Sequence, residues 1–166
     1  KHGRTVHSLS KLLSLYRNIK ITLVSPPALQ MPEHIVTLLT NAGHQVIITD
    51  KLAGNLACDV IYQTRIQQER FADQNEANLY RGHFSLNKSL YLQYCKDHTV
   101  IMHPLPRDSR PEANELDTDL NDLDSLAIFR QAQNGVLIRM ALFALTLGVD
   151  EKLQQYEKPV LWHRNP

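Results

Sequence analysis

Four short apolar segments alternate with amphipathic segments, and this alternation restricts the fold more than any other feature of the sequence. The apolar segments are predicted strands and lie at residues 19–24, 46–49, 59–64 and 100–102. Around them, apolar side chains recur at three- and four-residue spacing, which predicts helices. Strands and helices that alternate in this way form βαβ units around a parallel sheet. We therefore predict an α/β fold with a Rossmann-like parallel sheet and helices on both faces.

Helices are predicted at residues 6–16, 32–43, 86–94 and 125–147, with a short helical segment at 52–56. Thr5 or Ser8 is expected to cap the first helix, and Ser85 or Asn87 to begin the third. The long last helix contains Asn134-Gly135, where a mid-helix glycine costs about 1 kcal/mol relative to alanine. That glycine is either a tolerated kink or a close approach of the backbone to another element or ligand.

The connecting segments are polar. Residues 66–85 are irregular, and residues 108–124 are acidic and contain Pro111, which predicts a solvated connector. Residues 149–166 form a predicted polar tail. The chain opens at a helix behind a Gly3-Arg4-Thr5 turn, a position that normally follows a central strand in a parallel sheet. We therefore expect the sheet to lack its first strand in this sequence, with further material N-terminal to Lys1.

The composition argues against several classes of partner. Eighteen Lys and Arg residues oppose seventeen Asp and Glu residues, and the absence of a long basic run argues against nucleic acid. The longest apolar stretches are shorter than the roughly 18–20 residues that cross a bilayer, and no signal peptide is recognisable. Cys58 and Cys95 lie far apart without a CxxC pattern, which is typical of reduced thiols in the cytoplasm.

The sequence also lacks the usual metal and cofactor motifs. Its eight histidines show no HxxxH or HxH spacing, so no metal site is predicted. No GxGxxG or Walker loop is present, and no GxSxG motif. The residues therefore support neither a metal site nor nucleotide binding through these motifs.

Charged side chains cluster at predicted strand ends and at one helix start. Arg4 begins the first helix and Arg65 follows the third strand. Ligands of open α/β sheets bind beyond the carboxyl ends of the strands, and two converging arginines bind a dicarboxylate through bidentate contacts. Thr5 and the amides of the first helical turn add donors, and Gln67 could hold a carboxylate or amide. Each arginine taken singly could equally be an ordinary surface residue.

The segment from His103 to Arg107, His-Pro-Leu-Pro-Arg, follows the fourth strand directly. Proline restricts φ and removes the backbone donor, so the chain turns here. The carbonyls of Pro104, Leu105 and Pro106 remain able to accept hydrogen bonds. The segment is therefore either a rigid row of acceptors beside a cationic and a titratable side chain, or a proline-stiffened loop without a ligand.

Four motifs in order resemble the aspartate carbamoyltransferase catalytic chain over residues 1 to about 148. They are Lys1-His-Gly-Arg-Thr-Val-His-Ser-Leu9, Thr64-Arg-Ile-Gln-Gln-Glu-Arg-Phe71, His103-Pro-Leu-Pro-Arg107, and Phe129-Arg-Gln-Ala-Gln-Asn-Gly135 with Ile138-Arg-Met-Ala-Leu142. The related ornithine enzyme typically carries a cysteine where this chain has Pro104. The resemblance is therefore to the aspartate enzyme.

The resemblance implies transfer of a carbamoyl group from carbamoyl phosphate to the amine of L-aspartate in pyrimidine synthesis, without a metal or cofactor. Residues 1–148 would be the aspartate-binding domain. The implied aspartate-binding residues are Arg4, Thr5, Arg65 and Gln67. Leu105 and Pro106 match residues whose backbone carbonyls orient the carbamoyl amide. The residues expected to support them are Lys1, His103, Pro104 and Arg107.

The resemblance also implies what this chain does not carry. The carbamoyl-phosphate domain is absent, so the fragment alone should be inactive, and the complete chain should form trimers, with or without regulatory chains. The family commonly reads Val-Asp-Glu-Ile after the arginine of the His-Pro-Leu-Pro-Arg motif, whereas residues 108–114 differ here. A non-catalytic module that binds an amino acid or dicarboxylate is the alternative. A Rossmann-like nucleotide binder is a weaker one, because no glycine-rich turn supports it.

Overall fold

The computed structural model describes residues 1–65, 75, 78, 80, 82–108, 110 and 113–156. Its strands are β1 (Lys20–Val24), β2 (Gln45–Thr49), β3 (Val60–Tyr62) and β4 (Val100–Met102). Its helices are α1 (Arg4–Leu13), α2 (Glu33–Asn41), α3 (Lys88–Tyr94) and α4 (Ile128–Thr146). Short 3₁₀ segments lie at Pro27–Leu29, Thr118–Leu120 and Asp150–Tyr156. Residues Lys1–Ile128 form one compact unit and Phe129–Pro166 a second.

The strands pair in parallel, which confirms the predicted α/β class. In one pair, β1 lies beside β2 with Lys20 opposite Gln45 and Val24 opposite Thr49. In the other, β3 lies beside β4 with Tyr62 opposite Met102. Helix α2 packs on α1 and on β2. Whether a preceding strand completes the sheet stays a prediction.

A hydrophobic core surrounds β3 and β4. Its buried members are Leu56, Ile61, Leu86, Tyr91, Ile101, Leu116, Leu120, Leu126 and Ile128. Asn87 caps α3 by accepting a hydrogen bond from the Leu90 amide at 2.9 Å, as one of the two predicted starts required. The short helix predicted at 52–56 is wrong, because the chain turns there at Gly54, whose φ is +81°. A left-handed φ of this kind ends helical structure and suits glycine.

The described part of residues 108–124 is not the solvated connector that the acidic composition predicted. Leu116 and Leu120 are both 0% exposed. The Leu86 amide donates to the Glu115 carbonyl and the Asp117 amide donates to the Leu86 carbonyl, both at 2.9 Å. The segment therefore pairs with residues outside the named strands, and its leucines contribute to the core. The acidic residues between these leucines concealed the apolar pattern in the sequence.

The predicted start of the last helix at Ser125 is also wrong, since α4 begins at Ile128. The Ile101 amide donates to the Ser125 carbonyl at 2.9 Å, and the Ala127 amide donates to the Ile101 carbonyl at 2.8 Å. Residues 125–127 are therefore extended along β4. Their backbone groups form hydrogen bonds with the edge of β4, so the same groups cannot also form the first turn of a helix.

Helix α4 continues without interruption through Asn134-Gly135. Apart from the backbone of the helix itself, a Cβ at Gly135 would find no described atom closer than Arg139 Nη1, at 3.8 Å, so no close approach is present within the described residues. Nine apolar side chains from this helix and its end are 53–71% exposed, namely Phe129, Val136, Leu137, Ile138, Met140, Leu142, Phe143, Leu145 and Leu147. No described helix combines the length and the apolar character that crossing a membrane requires.

The two thiols are free, and both pack against the core around β3 and β4. Burial raises the pKa of Cys58, whose Sγ donates to the Val60 carbonyl at 3.3 Å. Burial, together with the neighbouring Cys58, raises the pKa of Cys95 to about 11. Since thiolates rather than thiols react with alkylating reagents, both cysteines should be poorly reactive near neutral pH.

We expect Cys95 to react slowly with iodoacetamide in a Cys58→Ser variant. Burial, the main cause of its raised pKa, remains in this variant, so only a small fraction of the thiol should be ionised at pH 8. The alkylation rate should therefore rise about tenfold per pH unit until pH approaches that pKa. The same protein in urea should react faster at pH 8, since an unburied cysteine has a pKa of about 8.5. Equal rates for folded and unfolded protein at pH 8 would contradict this expectation.

Candidate functional site

The first turn of α1 has backbone N–H donors that no side chain caps. Gly3 is the N-cap residue in an extended conformation, so the predicted caps Thr5 and Ser8 are wrong and both residues lie inside the helix. The first turn contains no acidic residue. The amides of a first helical turn have no partner within the helix and favour an anion. This end of α1 therefore suits a carboxylate or a phosphate.

An open cleft of about 480 Å³ lies between the start of α1 and the end of β3. Arg4, Thr5 and Ser8 line it from the helix, and Tyr62 lines it from the strand. Arg4 and Thr5 were both predicted from the sequence. Ser8 and Tyr62 were not, although Ser8 follows Arg4 by one helical turn and Tyr62 is the last residue of its strand.

The ends of β3 and β4 lie side by side. Tyr62 is paired with Met102, and the Gln63 amide donates to the Met102 carbonyl at 2.9 Å. Arg65 lies three residues after Tyr62, and Leu105 lies three residues after Met102. Both residues therefore follow the same edge of this strand pair. Arg65 is exposed. Gln67 lies outside the described residues.

The charge of Arg65 reaches the loop that follows β4. Two side-chain hydrogen bonds from Arg110, at 2.6 and 2.9 Å, are the main reason that the pKa of Asp108 is lowered to about 2. Attraction to Arg65 lowers this pKa further by a smaller amount. A Coulomb interaction of this kind requires proximity, so the Arg65 guanidinium lies near the loop that contains Asp108.

The loop after β4 has a tightly defined backbone. Leu105 has a φ of +54° and the Leu105–Pro106 peptide is cis. The Leu105 amide donates to His103 Nδ1 at 2.9 Å. Within the described part of the chain, no group donates to the carbonyls of Pro104, Leu105 or Pro106. Leu105 and Pro106 are exposed, so their carbonyls are available to a ligand.

Glu115 lies behind this loop, and sequence reasoning missed it because it belongs to the segment interpreted as a connector. Its Oε1 lies 2.9 Å from His103 Nε2. Both side chains are buried, with 1% and 3% exposure. The Asp108 amide donates to both carboxylate oxygens, at 3.0 and 3.2 Å.

The remaining supporting residues lie around the same loop or at the chain start. Pro104 is partly exposed and Lys1 is exposed. Nη1 of Arg107 is buried, and no described group accepts a hydrogen bond from it. A buried cationic donor in this state favours an anionic or carbonyl partner. Among the residues with described positions, no group of three or more His, Cys, Asp or Glu side chains could hold a metal ion.

Comparisons with known proteins identify carbamoyltransferases as relatives of this chain. A family model described as aspartate/ornithine carbamoyltransferase, Asp/Orn binding domain, matches residues 1–146. The aspartate carbamoyltransferase catalytic subunit of Cellvibrio japonicus is 61% identical over 163 residues, which are 98% of this chain and 48% of that protein. The chain spans about half the length of the curated relatives it matches.

Solved structures agree with these matches. The catalytic subunit of M. jannaschii aspartate transcarbamoylase superimposes with a TM-score of 0.78 at 35% identity, over 91% of this chain and 47% of that one. Aspartate transcarbamoylase from Trypanosoma cruzi in complex with N-(phosphonacetyl)-L-aspartic acid superimposes with a TM-score of 0.73 at 33% identity, over 85% of this chain and 44% of that one.

Proposed function

Because the chain belongs to the aspartate/ornithine carbamoyltransferase family, as an Asp/Orn-binding domain, we propose that it forms the aspartate-binding half of an aspartate carbamoyltransferase. In the proposed reaction, the amine nitrogen of L-aspartate attacks the carbamoyl carbon of carbamoyl phosphate. The bond from that carbon to the phosphate oxygen breaks and the amine loses a proton. The products are N-carbamoyl-L-aspartate and phosphate, an early step of pyrimidine synthesis. The proposal involves no metal or organic cofactor.

The observation that carries the proposal is the cleft between α1 and β3. Arg4 and Thr5 line it, and Arg65 follows three residues after Tyr62, which lines its other side. We assign Arg4 and Arg65 to the two carboxylates of aspartate, because a guanidinium binds a carboxylate through two parallel hydrogen bonds. Thr5 and Gln67 assist them in this proposal.

Three further observations favour aspartate over ornithine as the acceptor. Pro104 stands where the ornithine enzyme typically has cysteine. Two arginines near the acceptor suit a dicarboxylate, whereas the cationic side chain of ornithine would be repelled by them. The Cellvibrio japonicus relative, at 61% identity, is named an aspartate carbamoyltransferase.

Leu105 and Pro106 are assigned to the carbamoyl group. Their exposed carbonyls receive no hydrogen bond within the described part of the chain, and they can accept from the carbamoyl amide. Lys1, His103, Pro104 and Arg107 support this site in the proposal. Holding the acyl carbon and the amine in attack geometry can remove roughly 7–11 kcal/mol of the barrier. Positioning is therefore the main contribution that we assign to this half of the enzyme.

The rest of the enzyme completes the proposal. Residues 1–148 are the aspartate-binding domain and residues 149–166 a tail, while the carbamoyl-phosphate domain belongs to the complete chain. The exposed apolar side chains of α4 are expected to pack on that domain, because such a surface is unfavourable in water. We propose a trimer of complete chains, with or without regulatory chains. Its location would be the cytoplasm, which suits two free thiols.

Steady-state kinetics on the complete reading frame tests this function. Carbamoyl phosphate should support turnover with L-aspartate and much less with L-ornithine, and the isolated 166-residue chain should be inactive. Phosphate and N-carbamoyl-L-aspartate should form in equal amounts. A folded complete protein that uses neither acceptor would contradict the proposal and favour a binding module, and a preference for ornithine would contradict the assignment of the acceptor.

A further inference from the structure

We propose that Glu115 is a positioning residue that holds the loop of residues 103–108 in the shape that presents the Leu105 and Pro106 carbonyls. The proposal rests on the function proposed above, since it concerns the same site. Glu115 itself lies behind the loop and is buried, so it does not touch a substrate. It acts through two groups, His103 at the start of the loop and the Asp108 amide at its end.

The carboxylate of Glu115 contacts both ends of the loop. Its Oε1 lies 2.9 Å from His103 Nε2, and the Asp108 amide donates to both of its oxygens at 3.0 and 3.2 Å. A single buried carboxylate therefore spans residues 103 and 108, which bracket the two prolines. Buried carboxylates are costly unless they accept hydrogen bonds, and these contacts offset that cost.

His103 transmits this constraint to the backbone. Its Nδ1 accepts the Leu105 amide at 2.9 Å, so a neutral ring carries its proton on Nε2, on the side that Glu115 occupies. The hydrogen bond supports Leu105 at a φ of +54°. A left-handed conformation of a leucine is sterically strained and persists only where neighbouring contacts enforce it.

Glu115 is in turn held by the core. Its carbonyl accepts the Leu86 amide at 2.9 Å, and the next residue, Leu116, is 0% exposed. The side chain of Glu115 therefore projects from a rigid backbone rather than from a solvated loop. This arrangement explains how a segment outside the named strands can determine the geometry of the site.

The test uses the complete enzyme with Glu115→Ala, Glu115→Asp and Glu115→Gln. Glu115→Ala should lower kcat by about 100-fold, the effect expected for a displacement of about 1 Å, with a KM for L-aspartate near that of the wild type. Glu115→Gln should retain most of the activity, because its amide oxygen can take the place of Oε1 beside His103 and the Asp108 amide. Glu115→Asp keeps the charge but withdraws it by one methylene, so its kcat should fall toward that of the alanine variant.

Asp122→Asn is the matched control, because Asp122 is an exposed acid of the same segment, and its kcat should equal that of the wild type. A folded Glu115→Ala enzyme with wild-type kcat, or equal losses in the glutamine and alanine variants, would overturn the proposal. If the alanine variant does not fold, Glu115→Asp and Glu115→Gln are compared instead. Equal losses of kcat in these two variants would then overturn the proposal.

A crystal structure of the Glu115→Ala protein gives a readout that does not depend on turnover. Residues 103–108 should lose their wild-type conformation in the alanine variant and keep it in the glutamine variant. An unchanged loop in Glu115→Ala would overturn the inference even if the enzyme proves active with aspartate. Conversely, a wild type without aspartate turnover would defeat the proposed function while the structural comparison still reports on Glu115.

Discussion

Replacing Arg65 with alanine in the complete enzyme is expected to lower kcat/KM for L-aspartate by about 1,000-fold. Arg65 follows the end of β3 by three residues and is assigned to a carboxylate of the acceptor. Removing one member of a close charge pair costs about 4 kcal/mol when its partner is left without a counter-charge, which corresponds to about three powers of ten in rate. Steady-state kinetics over a range of aspartate concentrations measures this loss.

Two variants show whether the effect belongs to the acceptor site. Arg65→Lys keeps the charge but loses the two parallel donors, so it should recover only part of the activity. Arg17→Ala removes another exposed arginine, in the turn after α1, and should leave kcat/KM unchanged. Binding of carbamoyl phosphate should be similar in all three proteins, because Arg65 is assigned to aspartate. Wild-type kinetics in a folded Arg65→Ala enzyme would remove Arg65 from the site.

Replacing Leu116 with alanine should produce the largest loss of stability among the changes considered, about 3 kcal/mol of the free energy of unfolding. Leu116 is 0% exposed and belongs to the core around β3 and β4. Truncating a buried leucine loses its transfer free energy and leaves a cavity, and measured losses lie between about 2 and 5 kcal/mol. Urea unfolding followed by circular dichroism gives the midpoint and the slope from which the loss is obtained.

Leu92→Ala is the matched control. Leu92 lies on α3 and is 69% exposed, so its truncation should change the free energy of unfolding by less than about 0.5 kcal/mol. A Leu116 variant as stable as the Leu92 variant would mean that the segment after the His-Pro-Leu-Pro-Arg loop does not belong to the core. The expected difference also bears on activity, because Leu116 directly follows Glu115.

These expectations differ in how directly the sequence alone supports them. Arg65 was identified from its place after an apolar strand, and the structure does put it beyond the end of β3. The relevance of Leu116 was not visible in the sequence, since its neighbours are acidic and polar. Composition describes the average polarity of a segment, whereas burial depends on whether a few apolar side chains reach an existing core.

The local pattern of the sequence determined the strands, most of the helices and the cleft residues that begin α1. Alternating apolar segments specify parallel strands, because only their burial against helices removes that much apolar surface from water. Arg4 and Thr5 could also be identified from the sequence, since the apolar pattern shows where the first helix starts. Information of this kind is carried by neighbouring residues, so it can be read along the chain.

The tertiary structure decided everything that depends on contacts between distant parts of the chain. Residues 125–127 are extended because β4 offers them backbone partners, although their own sequence favours a helix. Tyr62 joins the cleft because β3 ends opposite α1, and Glu115 supports the loop because Leu86 pairs with its backbone. The helix and strand propensities of residues 108–124 do not predict this pairing. It arises only once the core has brought Leu86 and Leu116 together, because hydrogen bonds and burial are satisfied over the whole molecule rather than within one segment.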